Sequence, residues 1–190
     1  MKWRYALIAL ASTIASGCGT RSWEKYDPRN VSFDAMNENE GMVVLSTGAD
    51  HDCLNNATAL KLMEQGKSYG ETEIMLLPID FTVGIDGDFS DHPGHVFAIP
   101  LPAGQYYLTS WQGGYETVKA PRARFTVEPH KSTYLGEMYL AVGCSLRGLI
   151  TVRDAQARDF AIVARANPSL ADKVFEKRLL AFEDVALSAH

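Results

Sequence analysis

The sequence predicts a mainly β protein: an antiparallel β-sandwich followed by two short C-terminal helices. Three observations predict it. Between residues 41 and 153, about seven short runs rich in apolar, β-branched and aromatic residues alternate with clusters of Gly, Pro, Asn and Asp, as in a sandwich. After Asp154 the apolar period lengthens from two toward four, as a helix requires. Hydrophobic residues make up 46% of the 190-residue chain, enough for one core in one domain.

The N-terminus has its own grammar. Lys2 and Arg4 are followed by an apolar run, Tyr5 to Ile14, and then by the small residues Ala15, Ser16 and Gly17 before Cys18. The run is shorter than the roughly 20 residues of a membrane span, so residues 1–17 read as a secretory signal peptide. Ala15-Ser16-Gly17-Cys18 resembles the bacterial lipoprotein lipobox, with Ala15 where leucine is usual. The resemblance implies that Cys18 becomes the mature N-terminus and carries a diacylglycerol and an amide-linked acyl chain. The covalent lipid is then the only cofactor expected, and several acyl chains together anchor stably where one does not. Gly19, rather than Asp, after the cysteine resembles the sorting default for the outer membrane facing the periplasm. The bilayer is therefore an expected partner.

The chain carries 18 basic and 23 acidic residues, a net of −5, and excision of Lys2 and Arg4 takes it to −7. That balance argues against nucleic acid as a partner. With Cys18 lipidated, Cys53 and Cys144 form an even pair in an oxidising compartment and are expected to make a disulfide. Two buried free thiols are the alternative reading.

Residues 18–40 are polar, aperiodic and broken by Pro28, which reads as a tether, although Trp23, Tyr26 and Phe33 could dock on the domain. Gly41–Thr47 is a compact apolar run suited to a buried strand. Thr58–Gln65 fits either a strand or a short helix. Thr72–Phe81, interrupted by Pro78, reads as an edge strand or a bulge. Over 95–114 two β-rich runs flank Pro102-Ala103-Gly104, with Gly104 available for a positive φ. In 122–142, Phe125 and Val127 alternate, residues 128–132 turn, and Tyr134, Gly136, Met138 and Leu140 fall on one face by strict alternation. Residues 145–154 supply a last strand.

The predicted domain therefore spans residues 41–153, and residues 154–190 form a helical cap. Asp154 can cap a helix from Ala155 to about Ala166, with Phe160, Val163 and Ala164 on one side. Asn167-Pro168 stops it. Ser169 to Asp172 then reads as a capping box opening a second helix, Leu170 to about Leu180.

Leu101-Pro102-Ala103-Gly104, Tyr106, Phe125, Val127, Tyr134, Leu135 and Gly136 resemble a pattern in small bacterial lipoproteins of unknown function. The "LPaGxY" signature is shared with prealbumin-like, or carboxypeptidase-regulatory-like, β-sandwich domains. The helical segment 158–170 is similar to the tail of those lipoproteins. The resemblance covers about half the mature chain and implies a fold, with no catalytic residue attached. It implies a non-enzymatic binding or structural module with an envelope protein as partner. Transthyretin-like accessory lipoproteins of secretion machines are a fold-level analogy.

Two polar stretches could carry chemistry. Residues 84–95 hold Asp86, Asp88, Asp91, His92 and His95, donors for Ca²⁺ or a transition metal, but without EF-hand register or zinc-ligand spacing. The bland reading is a solvated loop. Asp50, His51 and Asp52 beside Cys53 read as a loop pinned by the disulfide. Alternation also puts Tyr107 and Trp111 on the face opposite Tyr106 and Leu108; with Tyr115 they form a candidate binding surface, unless other elements cover them. Serine-hydrolase elbows, phosphate loops, dinucleotide fingerprints and zinc-protease helices are absent from the sequence.

Overall fold

The computed structural model describes residues 24–50, 58–67, 74–76, 87–112, 115–116, 122–140 and 150–183. Among them, two five-stranded sheets pack face to face and a third layer covers one of them. The first sheet holds β1 (Glu40–Ala49), β4 (Gly94–Pro102), β8 (Ser132–Leu140), β9 (Ile150–Arg153) and β10 (Glu176–Lys177). The second holds β2 (Thr58–Glu64), β3 (Ile74–Leu76), β5 (Gly104–Gln112), β6 (Tyr115–Glu116) and β7 (Arg122–Val127). The mainly β expectation therefore holds. So does the strand reading of Thr58–Gln65, whose Leu60 and Leu62 face the core.

The antiparallel expectation needs one correction. β1 pairs with β4 antiparallel but with β8 in parallel, and β10 also lies parallel to β8. The cause lies in the connections. β4 and β5 belong to different sheets and are joined by the single residue Ala103, so Pro102-Ala103-Gly104 is a corner between layers. Gly104 is not among the described glycines with positive φ. Tyr106 secures the corner: its hydroxyl donates to the Pro102 carbonyl at 2.9 Å and its ring stacks on Phe125. Burial, followed by the charges of Glu64 and Glu40, pushes this hydroxyl up to about 12. Residues 128–131 carry the chain back from β7 to β8, with His130 at φ 57. These two connections take the chain out of the first sheet after β4 and return it as β8, running opposite to β4 and so parallel to β1.

Between the sheets lie Val43, Leu45, Phe97, Ile99, Leu135 and Met138 from the first sheet, and Leu60, Leu62, Leu76, Tyr106, Leu108 and Phe125 from the second. The other face of the first sheet carries Met42, Val44, Val96, Ala98 and Tyr134. Helix α1 (Gln156–Ala166) covers it through Val163, aided by Leu170, Val31 and the half-buried Phe33, Phe160 and Phe175. β1 is thus apolar on both faces because both are covered.

A bulge sets what β8 shows to each layer. The pairing slips between Val44 and Ser46 of β1, and Gly136 takes φ 99 opposite the slip. A side chain at Gly136 would strike Val152 at 2.8 Å as well as straining the backbone. The bulge resets alternation, which corrects the expected common face of Tyr134 and Met138: Tyr134 faces the helix and Met138 the intersheet core.

The C-terminal part differs from expectation too. α1 forms as predicted to within a residue, but Ala155 rather than Asp154 is its N-cap; Asp154, one position earlier, accepts from the Gln156 N–H at 3.3 Å. The second helix is replaced by a 3-10 turn, Pro168–Leu170, and an extended strap. In extended form the strap satisfies the edge of β8, with Arg178 N–H on the Tyr134 carbonyl and Leu180 N–H on that of Leu135. It also buries Leu180 in the core. A helix there would leave those carbonyls unpaired.

Residues 24–40, within the expected tether, are packed. Tyr26 enters the intersheet core, Val31 and Phe33 join the helix layer, and Asn167 Nδ2 donates to the carbonyls of Pro28 (3.0 Å) and Val31 (2.6 Å).

Candidate functional site: a buried ionic cluster between helix and sheet

Past the bulge, β8 turns Glu137 and Tyr139 toward the helix layer, and β1 turns Ser46 and Gly48 the same way. The first turn of α1 lowers Arg158 and Asp159 onto this patch, and the loop before β4 brings Phe89, Asp91 and His92. Ser46, Glu137 and Asp159 are almost completely buried, and His92 nearly so. Buried charge is tolerated only when paired, and here it is paired throughout.

Asp159 is the hub. Its Oδ2 accepts from Ser46 Oγ at 2.6 Å and from Tyr134 Oη at 2.8 Å. Its Oδ1 accepts from Arg158 Nε at 2.9 Å and Nη2 at 2.8 Å. Tyr134 Oη in turn accepts from the Ala155 N–H at 3.2 Å, which ties the start of α1 to β8. Arg158 Nη2 also reaches Glu137 Oε1 at 3.0 Å, and the guanidinium lies over the ring of Phe89. Glu137 Oε1 stands 2.7 Å from His92 Nε2, and Asp91 Oδ1 lies 3.0 Å from His92 Nδ1. The imidazole is bracketed by two carboxylates.

Burial dominates the electrostatics. It pushes the Asp159 carboxyl above its ordinary value despite the donors from Ser46, Arg158 and Tyr134. It pushes the Tyr134 hydroxyl up strongly, and the Asp159 charge adds to that. Burial alone would lower Arg158, but Asp159 and Glu137 hold its guanidinium above the ordinary value. Tyr139 is raised by burial and by Asp50, which accepts from its hydroxyl.

Ser46, His92 and Asp159 sit in one cluster, but their hydrogen bonds do not make a nucleophile relay. Serine donates to the aspartate and histidine faces Glu137, whereas a relay needs serine on histidine. What the arrangement does is fasten α1 to the first sheet at a fixed register.

Four of the five suggested metal donors are described, and they do not converge. His92 points into the cluster. His95 lies on β4 on the side of Phe97, with Asp88 Oδ2 3.7 Å from its Nδ1. Asp88 caps the sheet edge instead, accepting from the Val96 N–H at 2.8 Å while its own N–H donates to Gly94. Among the described residues no three His, Cys, Asp or Glu side chains group for a metal. Asp86 lies outside the described residues, as do His51, Asp52, Cys18, Cys53 and Cys144.

Of the suggested aromatic surface, Tyr107 is half-buried on the outer face of the second sheet, its hydroxyl 3.3 Å from Met63 Sδ and Arg122 over its ring. The side chains of Trp111 and Tyr115 are outside the described set.

Sequence reasoning missed Ser46, Glu137, Arg158 and Asp159. One signal was present: Asp159 stands four residues before Val163, on the stripe that α1 buries. Comparison with family models, curated proteins and solved structures finds no match to the chain.

Proposed function

We propose that this protein is a bacterial envelope lipoprotein, anchored through acylated Cys18 in the outer membrane and facing the periplasm. Its domain is a non-enzymatic binding and structural module. The observation that carries the reading is the N-terminal order of Lys2 and Arg4, the apolar run 5–14, and Ala15-Ser16-Gly17-Cys18. The buried cluster supports it from the other end, because its ionised groups are engaged with one another in holding the helix layer. Such a body presents surfaces to an envelope protein.

Metabolic labelling with a palmitate analogue, followed by mass analysis of the N-terminal peptide, tests the anchor. The expected result is acylated Cys18 in the wild type and no label in Cys18→Ser. A full-length, unacylated Cys18 peptide in the mature protein overturns it. Crosslinking in cells and recovery of the acylated chain tests the module: a specific envelope protein is expected, and repeated recovery of none counts against it.

A further inference from the structure

The packing of residues 24–40 changes the reach of the anchor. A free segment from Cys18 to Glu40 spans 22 residues, which is roughly 75 Å when extended. With the chain packed from Glu24 onward, only residues 19–23 lie between Cys18 and the domain, and covalent geometry limits those six steps to about 20 Å in any conformation. A domain of this length is roughly 40 Å across, twice the leash. The far side of the domain therefore cannot touch the bilayer, and the side that receives the leash cannot leave it.

Resting on the lipoprotein reading, we propose that the N-terminal layer is a membrane-apposed face and that its partner is the lipid surface itself. Where the chain enters, Tyr26 is buried with Lys25 over its ring, and Asn167 clamps Pro28 and Val31. Beside this clamp, Lys173 lies over the ring of Phe33, followed by Val174, which at 90% exposure is the more exposed of the two large hydrophobics open to solvent among the described residues. A cation over an aromatic ring next to a bare aliphatic side chain suits the interface, where apolar groups enter and ammonium groups stay with the headgroups. Asp27 on this face is neutralised by Arg29, while Asp34 and Asp172 are exposed there. This face therefore carries no excess positive charge to draw it to anionic lipid. The outer face of β7, with Arg124 exposed, is left facing away from the membrane toward soluble or neighbouring envelope partners.

The test uses the acylated full-length protein in phosphatidylcholine vesicles that carry a headgroup nitroxide. One variant bears a fluorophore at Val174→Cys and the other at Arg124→Cys, both exposed positions whose substitution leaves the core untouched. The expected result is quenching about twofold or more stronger at 174 than at 124. Inserting a flexible Gly-Ser spacer of about 15 residues after Thr20 should remove the difference. Equal quenching at both positions, in protein whose Cys18 is shown by mass to be acylated, overturns the proposal and leaves the anchor standing. Unacylated Cys18 overturns both.

Discussion

At the scale of single residues, the cluster under α1 depends on small space as much as on charge. A Cβ at Gly48 would lie 2.6 Å from Glu137 Oε1 and 2.9 Å from His92 Nε2. Gly48→Ala is therefore expected to lower stability by about 1–3 kcal/mol, as overpacking does, read from the urea midpoint at constant slope. A Gly66→Ala control, where nothing lies within 4 Å but φ is 84, separates backbone strain from crowding. Two aspartates give opposite pH signatures. Burial works against Asp88, yet His95 and the Val96 N–H hold its carboxyl below the ordinary value. Its stabilisation is complete above about pH 4 and is lost as pH falls through the depressed folded value. Asp88→Asn should thus cost about 0.5 kcal/mol at neutral pH after solvent screening, and the gap to wild type should close in acid. Asp159 is raised, so the folded state holds its proton longer than the unfolded one, and its contribution falls as pH rises from the ordinary carboxylate value through the raised one. A wild-type difference for Asp88→Asn that widens in acid would contradict this assignment.

At the scale of elements, the sequence was most legible where pattern and neighbours agree. β1, β7 and α1 announce themselves by runs or alternation that the packing uses directly. Legibility failed where a distant partner decides. Leu170 to Leu180 has helical capping chemistry, but the free edge of β8 offers carbonyls that only an extended chain can meet. The alternation of β8 could not show that Gly136 resets it, because the slip is defined against β1. The ionic cluster was opaque for the same reason: Ser46 and Asp159 are 113 residues apart, and each alone is an ordinary polar residue. The clamp at the end of α1 makes an element-scale prediction. Asn167→Ala removes both bonds to the N-terminal segment and the cap of the following turn. It should cost about 1–2 kcal/mol and raise amide hydrogen exchange over residues 26–33 well before the strands exchange. Unchanged exchange there would show that the segment is held by its apolar contacts alone.

At the scale of the whole molecule, the expected Cys53–Cys144 bridge can be weighed against the described topology. Ala49 and Leu140 are register partners on adjacent parallel strands, and each cysteine follows its strand by four residues. The chain thus leaves β1 and β8 at the same end with equal steps to each cysteine, which supports the proposed pairing. Peptide mapping without reductant should recover the linked pair from protein made in an oxidising compartment. Reduction should lower stability by roughly 2–5 kcal/mol. Two free thiols in such material would refute the bridge.

The parallel pairing of β1 with β8 also carries a cost in time. Met42 must wait for Ser132, 90 residues later, before its second neighbour exists. If the chain is exported N-terminus first, as proposed, it emerges with β1 half-paired, and that strand holds an open edge until about 90 further residues have followed. Pairings of that separation close slowly and leave sticky intermediates. Under the proposed export, newly emerged copies should therefore crosslink to holding chaperones for longer than the size of the protein alone would suggest.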